Sequence, residues 1–325
     1  METNIRKFVK VLGSKWFCAG ILAVFIGEAV YLALTSRFPM AYDESWHLAQ
    51  IQFYAQHLNP IITHQAASTY KLGNMVQNPS FLYHYLMSVP YRLIRLFTGN
   101  LVTQVIALRL INVALAAAGL IVSRKLLRLI NLSKVWSNLV VLAFALTPIV
   151  TVLSAQISYD NLLILLVSLC VYQTVRLAQE LDRSTLNWIR LLALLSLGLL
   201  SSLVKYAFLP VFAASLVLIV WKIVFAWRRD AVRFKLGAKT NWLAANKYLK
   251  LLLISAACLS GFLFARIYAV NLIKYHNPAP ICGEVLNPRA CRQYYSYDTR
   301  YLDDQRHQAG LTPVTMNIAR YSAYW

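Results

Sequence analysis

Seven apolar runs recur along the chain, at about 16–36, 101–122, 136–156, 160–177, 188–204, 207–226 and 250–271. Each is near the roughly 20 residues that an α-helix needs to cross a hydrocarbon core about 30 Å thick. Inside lipid, every backbone N–H and C=O must find its partner within the spanning structure, which leaves helices as the solution for isolated runs of this length. The expected fold is therefore all-α: a polytopic transmembrane helix bundle of about seven spans, with juxtamembrane helices in the first outer loop. Composition agrees, since 14% of the 325 residues are charged and mean hydropathy is +0.53, against about 25% charged in a soluble domain.

A net charge of +20 raises the question of nucleic acid. The Lys and Arg residues, however, gather in short clusters between the apolar runs, and no groove-reading or base-stacking module is recognisable. Such clusters orient membrane proteins and meet anionic membrane lipids, which are the expected partners in place of nucleic acid. The basic N-terminus precedes a first run long enough to span and followed by no small-residue cleavage site, as in an uncleaved signal anchor.

The segment 79–97, PSFLYHYLMSVPYRLIRLF, holds His84, Pro90, Arg92 and Arg95 among apolar positions. If it lies along the interface, every basic cluster between spans falls on the N-terminal side of the membrane; if it crosses, the later clusters all fall on the other side. The positive-inside rule favours the first arrangement. A plasma (inner) membrane protein with a cytoplasmic N-terminus follows, with a transmembrane module over 1–271, a first outer loop over 37–100 and an extracytoplasmic segment over 272–325. All six histidines then lie outside. Cys282 and Cys291 flank a Pro-containing polar stretch that can close as a disulfide in an oxidising compartment, whereas Cys18, Cys170 and Cys258 read as small packing residues.

Directly after the first run comes the acidic pair Asp43 and Glu44, in YDESWHLAQIQFYAQHL. At 100° per residue, Asp43, His47, Gln50, Tyr54 and His57 share one narrow polar stripe between two apolar ones, the pattern of a helix lining a cavity. An N-capping Asp43 is the plainer reading and accounts for one carboxylate, not two. Further along, ISYDNLLILL places Asp160 and Asn161 at the outer end of a span, where an ionisable group lines a cavity, meets a partner or caps a helix. Lys205 stands between two apolar runs, where it either snorkels to headgroups or holds a phosphate. Arg109 in ALRLINVALAAAG either holds the same phosphate or pairs with a buried acid. Glu28 lies mid-span and reads as a bundle contact. Histidine spacings match no metal-ligand pattern, so no metal site is expected. The Tyr294, Tyr295, Tyr297 and Tyr301 cluster, interleaved with Arg292 and Arg300, suits an interfacial or sugar-contacting surface or plain loop packing.

An apolar first helix, YDESWH, NPSFLYHYL, RLINVALAAAGL, SYDNLLILL and VKYAFLP, in that order over about residues 16 to 215, together resemble the GT-C superfamily of polytopic glycosyltransferases, closest to a group of uncharacterised bacterial membrane proteins. The resemblance implies transfer of a sugar from a polyprenyl-phosphate donor to a hydroxyl of a glycan, lipid or protein acceptor on the extracytoplasmic face, with inversion. It maps the family's catalytic carboxylate onto Asp43. Glu44 would orient the acceptor, Lys205 with Arg109 or His84 would steady the phosphate, and Asp160, His47 and Tyr54 would contact substrate. With a monophosphate leaving group, side-chain cations stand in for a divalent metal, so no cofactor is expected. Where relatives carry a Lys before a PP dipeptide, this chain has Gln77 and Asn78 before a single Pro79, with Lys71 a candidate substitute. It is also short for the superfamily, as a fragment or a reduced member would be. The competing expectations are a lipid-linked glycan ligase or polymerase using Arg and His of 272–325, a non-catalytic carrier of lipid-linked sugars, and a membrane scaffold.

Overall fold

A computed structural model describes residues 2–40 and 43–308, except for the side chains of 2–4, 300, 301, 303, 304 and 306–308. Tyr42, the side chains of Arg300 and Tyr301, and the terminal RYSAYW are therefore outside what is described. Among those described the chain is all-α, with no strand. It divides into two units, residues 1–60 with 79–269, and residues 61–78 with 270–325.

The first unit contains α1 (Glu2–Leu12), α2 (Lys15–Thr35), α3 (Glu44–Ala55), α4 (Leu82–Phe97), α5 (Leu101–Leu129), α6 (Lys134–Ala145), α7 (Pro148–Ala155), α8 (Tyr159–Leu181), α9 (Trp188–Val204), α10 (Leu209–Arg229), α11 (Ala231–Ala244) and α12 (Lys247–Phe264). Polar residues start the long helices: Ser14, Asn100, Ser133, Ser158, Asn187 and Asn246 each accept a bond from the first turn that follows. That satisfies donors that no helical carbonyl can reach.

Among the described residues, five helical stretches are long and apolar enough to cross a membrane: Lys15–Thr35, Leu101–Leu129, Tyr159–Leu181, Tyr206–Arg229 and Lys247–Tyr275. The expected seven is not reached on that measure. The run at 136–156 is broken into α6 and α7, which meet at 67° and count as a sixth span only if taken together. Pro148 is the cause: it has no N–H to continue α6 and instead starts α7 at a first-turn position, where that loss is harmless. The run at 188–204 forms α9, 17 residues long.

Helices α5 and α8 run parallel. Asn112 meets Asn161, Ser123 meets Ser168, and the Leu129 carbonyl accepts from Gln179, so both helices advance in the same direction from contact to contact. Gly119 permits the approach, because a Cβ there would stand 2.7 Å from the Ile164 side chain. The intervening α6 and α7 return the chain: the Asn138 amide is tied to the carbonyls of Leu12 and Ser14 at one end, and Ile157 reaches Glu44 at the other. A second apolar core gathers α8, α9 and α10 around Leu177, Leu194 and Phe212.

The segment 79–97 forms α4, which is amphipathic. Tyr83, His84, Met87, Ser88 and Tyr91 face inward, while Leu86, Val89, Leu93, Leu96 and Phe97 are exposed. Arg92 is explained by its neighbour: its guanidinium donates to the Tyr54 and His57 carbonyls at 2.9 and 2.8 Å, closing the end of α3 where carbonyls lack helical partners.

The second unit contains a 3-10 helix (Ala67–Leu72), α13 (Val270–Tyr275), α14 (Cys282–Val285), α15 (Pro288–Cys291) and α16 (Tyr295–Gln308), and the 3-10 helix packs against α15. Buried Gln65 bridges the loop through Gly73 and Met75, and Asn271 donates to the Gln77 and Pro278 carbonyls. The expected disulfide joins Cys282 and Cys291, with Cα atoms 5.8 Å apart. Cys18 and Cys170 are buried as expected of packing residues; Cys258 is exposed on α12.

Candidate functional site

The start of α3 meets the start of α8 at a cavity of about 300 Å³, lined by Asp43, His47, Ile149, Leu153, Gln156, Ser158, Tyr159 and Asp160. Its polar groups come from helix beginnings for a local reason. Ser158 caps α8 with its own hydroxyl, 3.3 Å from the Asp160 N–H, so Asp160 is released from capping and its carboxylate meets Lys205 Nζ at 2.9 Å. Lys205 also lies 4.5 Å from the centre of the Tyr159 ring. The pair is about one-third exposed on each side, so it is hydrated and open to an incoming group.

Asp43 occupies the N-cap position of α3, and its carbonyl accepts the first helical bond from His47 at 2.9 Å. Its side chain makes no capping bond and is exposed at the cavity. The plain capping explanation for this carboxylate therefore does not hold.

Glu44 is different. It is fully buried and is held by Arg109 at both oxygens, Nε to Oε1 and Nη2 to Oε2, each at 2.7 Å. The Met40 N–H donates to Oε2 at 2.7 Å and the Ile157 N–H to Oε1 at 3.2 Å. The rest of the guanidinium donates to the carbonyls of Ala33, Ser36 and Arg37. Of the two roles expected for Arg109, the structure shows the pairing with a buried acid, and that acid is Glu44, which is turned into the interior and away from the cavity lining. Together they lock the end of α2, the start of α3, the body of α5 and the α7–α8 turn into one frame.

The polar stripe on α3 also divides. Asp43 and His47 reach the cavity, but Gln50 and Tyr54 are buried, and His57 bonds back to the Phe53 carbonyl. Tyr54, expected at the substrate, is buried against Phe81 and Tyr85 and is not part of the cavity lining. The stripe looked inward because α4 covers it, not because a ligand does.

His84 likewise sits behind the cavity. It is fully buried, and its Nε2 lies 2.9 Å from Nδ1 of His47, with the rings stacked. Burial, reinforced by the Lys205 charge, lowers the His47 pKa to about 3; burial and the neighbouring His47 hold His84 well below its ordinary value. Both rings are neutral at pH 7, and one donates to the other.

Beneath the cavity lie two polar residues that were not singled out from the sequence, Asn112 and Tyr83. Asn112 Oδ1 accepts from the Tyr83 hydroxyl at 2.9 Å and from Asn161 Nδ2 at 3.1 Å, while Asn112 Nδ2 donates to the Leu108 carbonyl. Asn161, expected at the rim, is in this buried layer, and its amide also holds the Leu153 and Gln156 carbonyls. The available signal was spacing: Asn112 follows Arg109 by three residues, on the same helix face.

Among the described residues, no group of three or more His, Cys, Asp or Glu side chains is placed to hold a metal ion. Comparison of the chain with family models, with curated proteins and with solved structures finds no match.

Proposed function

We propose that this chain is a membrane glycosyltransferase that moves a sugar from a polyprenyl-phosphate donor to an acceptor hydroxyl, at the membrane face where α3 and α8 begin. The observation that carries the reading is a cavity lined both by an uncommitted carboxylate, Asp43, and by Asp160, whose carboxylate holds the partly exposed ammonium of Lys205. A hydroxyl is a poor nucleophile until a positioned base takes its proton, and a departing phosphate needs a cation at its oxygens.

In this scheme the acceptor hydroxyl gives its proton to Asp43 as its oxygen attacks the anomeric carbon. The bond from that carbon to the phosphate oxygen breaks, and the electron pair leaves with the polyprenyl phosphate. Attack from the face opposite the leaving group inverts the anomeric centre. The phosphate competes with Asp160 for the Lys205 ammonium, and the freed Asp160 carboxylate accepts from a sugar hydroxyl. Neutral His47, steadied by His84, offers one ring nitrogen to the same cavity.

A plasma-membrane topology with a cytoplasmic N-terminus and seven crossings accompanies the reading. Counting the bent pair α6–α7 as one crossing and the 17-residue apolar α9 as another brings the five long helices to seven. The Cys282–Cys291 disulfide fits an extracytoplasmic second unit, since such bonds persist in oxidising compartments.

The direct test is to incubate the purified full chain with a polyprenyl-phosphate sugar labelled in the sugar, together with glycan, lipid and peptide acceptors. Release of polyprenyl phosphate with label on an acceptor is the expected result. Movement of label across a vesicle with the anomeric bond intact would make the chain a carrier instead.

A further inference from the structure

The opposite end of α5 and α8 holds a second and larger cavity, of about 700 Å³, lined by Arg124, Lys125, Arg128, Arg176 and Arg183 together with Asn131, Tyr172, Gln179 and Asp182. Five cations face one acid. That acid is already engaged, since Asp182 is paired with Lys222, and nearby Glu180 is paired with Arg190. No described carboxylate neutralises any of the five.

What holds these side chains is uncharged. Arg124 Nε donates to Asn138 Oδ1 at 2.7 Å, and Asn138 is itself fully buried and fixed by the carbonyls of Leu12 and Ser14. Arg128 donates to the Leu132 carbonyl. Arg176 Nε donates to the Tyr172 hydroxyl at 3.2 Å, with its guanidinium 5.6 Å from that ring's centre. The walls are braced across by Gln179, whose amide reaches the Leu129 carbonyl. Three guanidinium groups are thus aimed by neutral partners, each with donors left over, around a concave space.

Basic residues at helix C-termini answer the local dipole, and basic loops orient a membrane protein. Those effects are met by cations spread over the surface and do not require three arginines braced round one cavity. Clustered like charges in a concavity repel one another and concentrate the field on whatever anion enters. Planar guanidinium groups match the oxygens of a phosphate with paired N–H donors, which makes phosphate the ligand chemistry of choice. The volume lies within the roughly 300–1,000 Å³ usual for small-molecule sites.

We propose that this cavity binds a phosphate-bearing anion, either the headgroup of an anionic lipid or a soluble phosphate compound. The site stands independently of the chemistry proposed at the other end of the bundle.

The test uses the full chain in nanodiscs of phosphatidylcholine, with labelled inorganic pyrophosphate as the probe in equilibrium dialysis. Saturable binding is expected, weakened about tenfold or more in R128Q/R176Q and unchanged in K235Q/K239Q, which removes the same charge from α11 outside the cavity. If R128Q/R176Q fails to fold, K125Q/R183Q carries the test, because both of those side chains are exposed. A second arm adds phosphatidylglycerol to the disc and counts retained lipid by native mass spectrometry. Displacement of pyrophosphate by that lipid assigns the site to a headgroup; undiminished pyrophosphate binding assigns it to a soluble compound. Equal weakening in the cavity and α11 variants would overturn the proposal. So would the absence of saturable pyrophosphate binding together with no retention of phosphatidylglycerol over phosphatidylcholine.

Discussion

Glu44 and Arg109 form a two-pronged ion pair with 2.7 Å at both contacts, and their side chains are 0% and 1% exposed. The relationship decides how the acidic pair of the first loop is read. One carboxylate is spent on holding four segments together, which leaves its neighbour Asp43 as the group at the cavity.

Breaking that pair should unfold the frame and not merely slow a reaction. Glu44→Gln leaves a buried guanidinium without a counter-charge, at a cost of about 3–5 kcal/mol. Thermal unfolding in detergent should show a large loss for Glu44→Gln and for Arg109→Met singly. The double variant Glu44→Gln/Arg109→Met should recover part of it. Wild-type stability in Glu44→Gln would mean that the pair is not the lock described.

Acid should weaken the fold through His47 and His84. Both have depressed pKa values in the folded chain, His47 to about 3, while the unfolded histidines titrate near 6.5. Above that value neither state binds the protons and no stability is lost. As pH falls below about 6.5 the unfolded chain takes up protons that the folded chain refuses, costing about 1.4 kcal/mol per pH unit for each histidine. For His47 the loss continues down to pH about 3. Chemical unfolding at pH 7.5, 6 and 5 should show this slope, and His84→Gln should flatten it. An equal slope in that variant would remove the pair as its cause.

Gly198 in α9 should not tolerate even one methyl group. A Cβ there would lie 2.0 Å from the Phe212 ring, in the core shared by α8, α9 and α10. Gly198→Ala should cost about 1–3 kcal/mol by overpacking, and Phe212→Leu in the same chain should relieve part of it. An unfolding midpoint unchanged by Gly198→Ala would contradict this packing.

The orientation proposed for the bundle can be checked with reporters. Alkaline phosphatase fused after residue 98 should be active, as expected of an extracytoplasmic position, and inactive when fused after residue 130. The reverse pattern would place the Asp43 cavity on the cytoplasmic side.

Much of the fold was legible because lipid imposes a simple rule on helix length and polarity. The inward face of α4 follows the spacing of Tyr83, His84, Met87 and Tyr91, and the nine-residue separation of Cys282 and Cys291 allowed their disulfide. Less was legible where the answer depended on contact between distant segments. Periodicity showed that the α3 stripe was polar and turned from water, but not that Tyr54 and Gln50 would be buried, Tyr54 against Tyr85 of α4. Nothing local separates Asp43 from Glu44; the difference is made by Arg109, 65 residues away from Glu44. The apolar length of the 136–156 run suits a single span, and Pro148 within it breaks that span into two helices. Asn112 is one amide in an apolar run, and it gains meaning only beside Tyr83 and Asn161.

Asp43→Asn is the substitution on which the proposed chemistry turns. It keeps the shape of a side chain that makes no capping bond, so unfolding should be unchanged, while removal of the base should slow transfer about 10²–10⁴-fold. The measurement is the transfer rate of labelled sugar from polyprenyl phosphate by the purified variant, with donor binding followed in parallel. Loss of transfer with folding and donor binding retained is the predicted result. Transfer at the wild-type rate would contradict the assignment of Asp43 as the base.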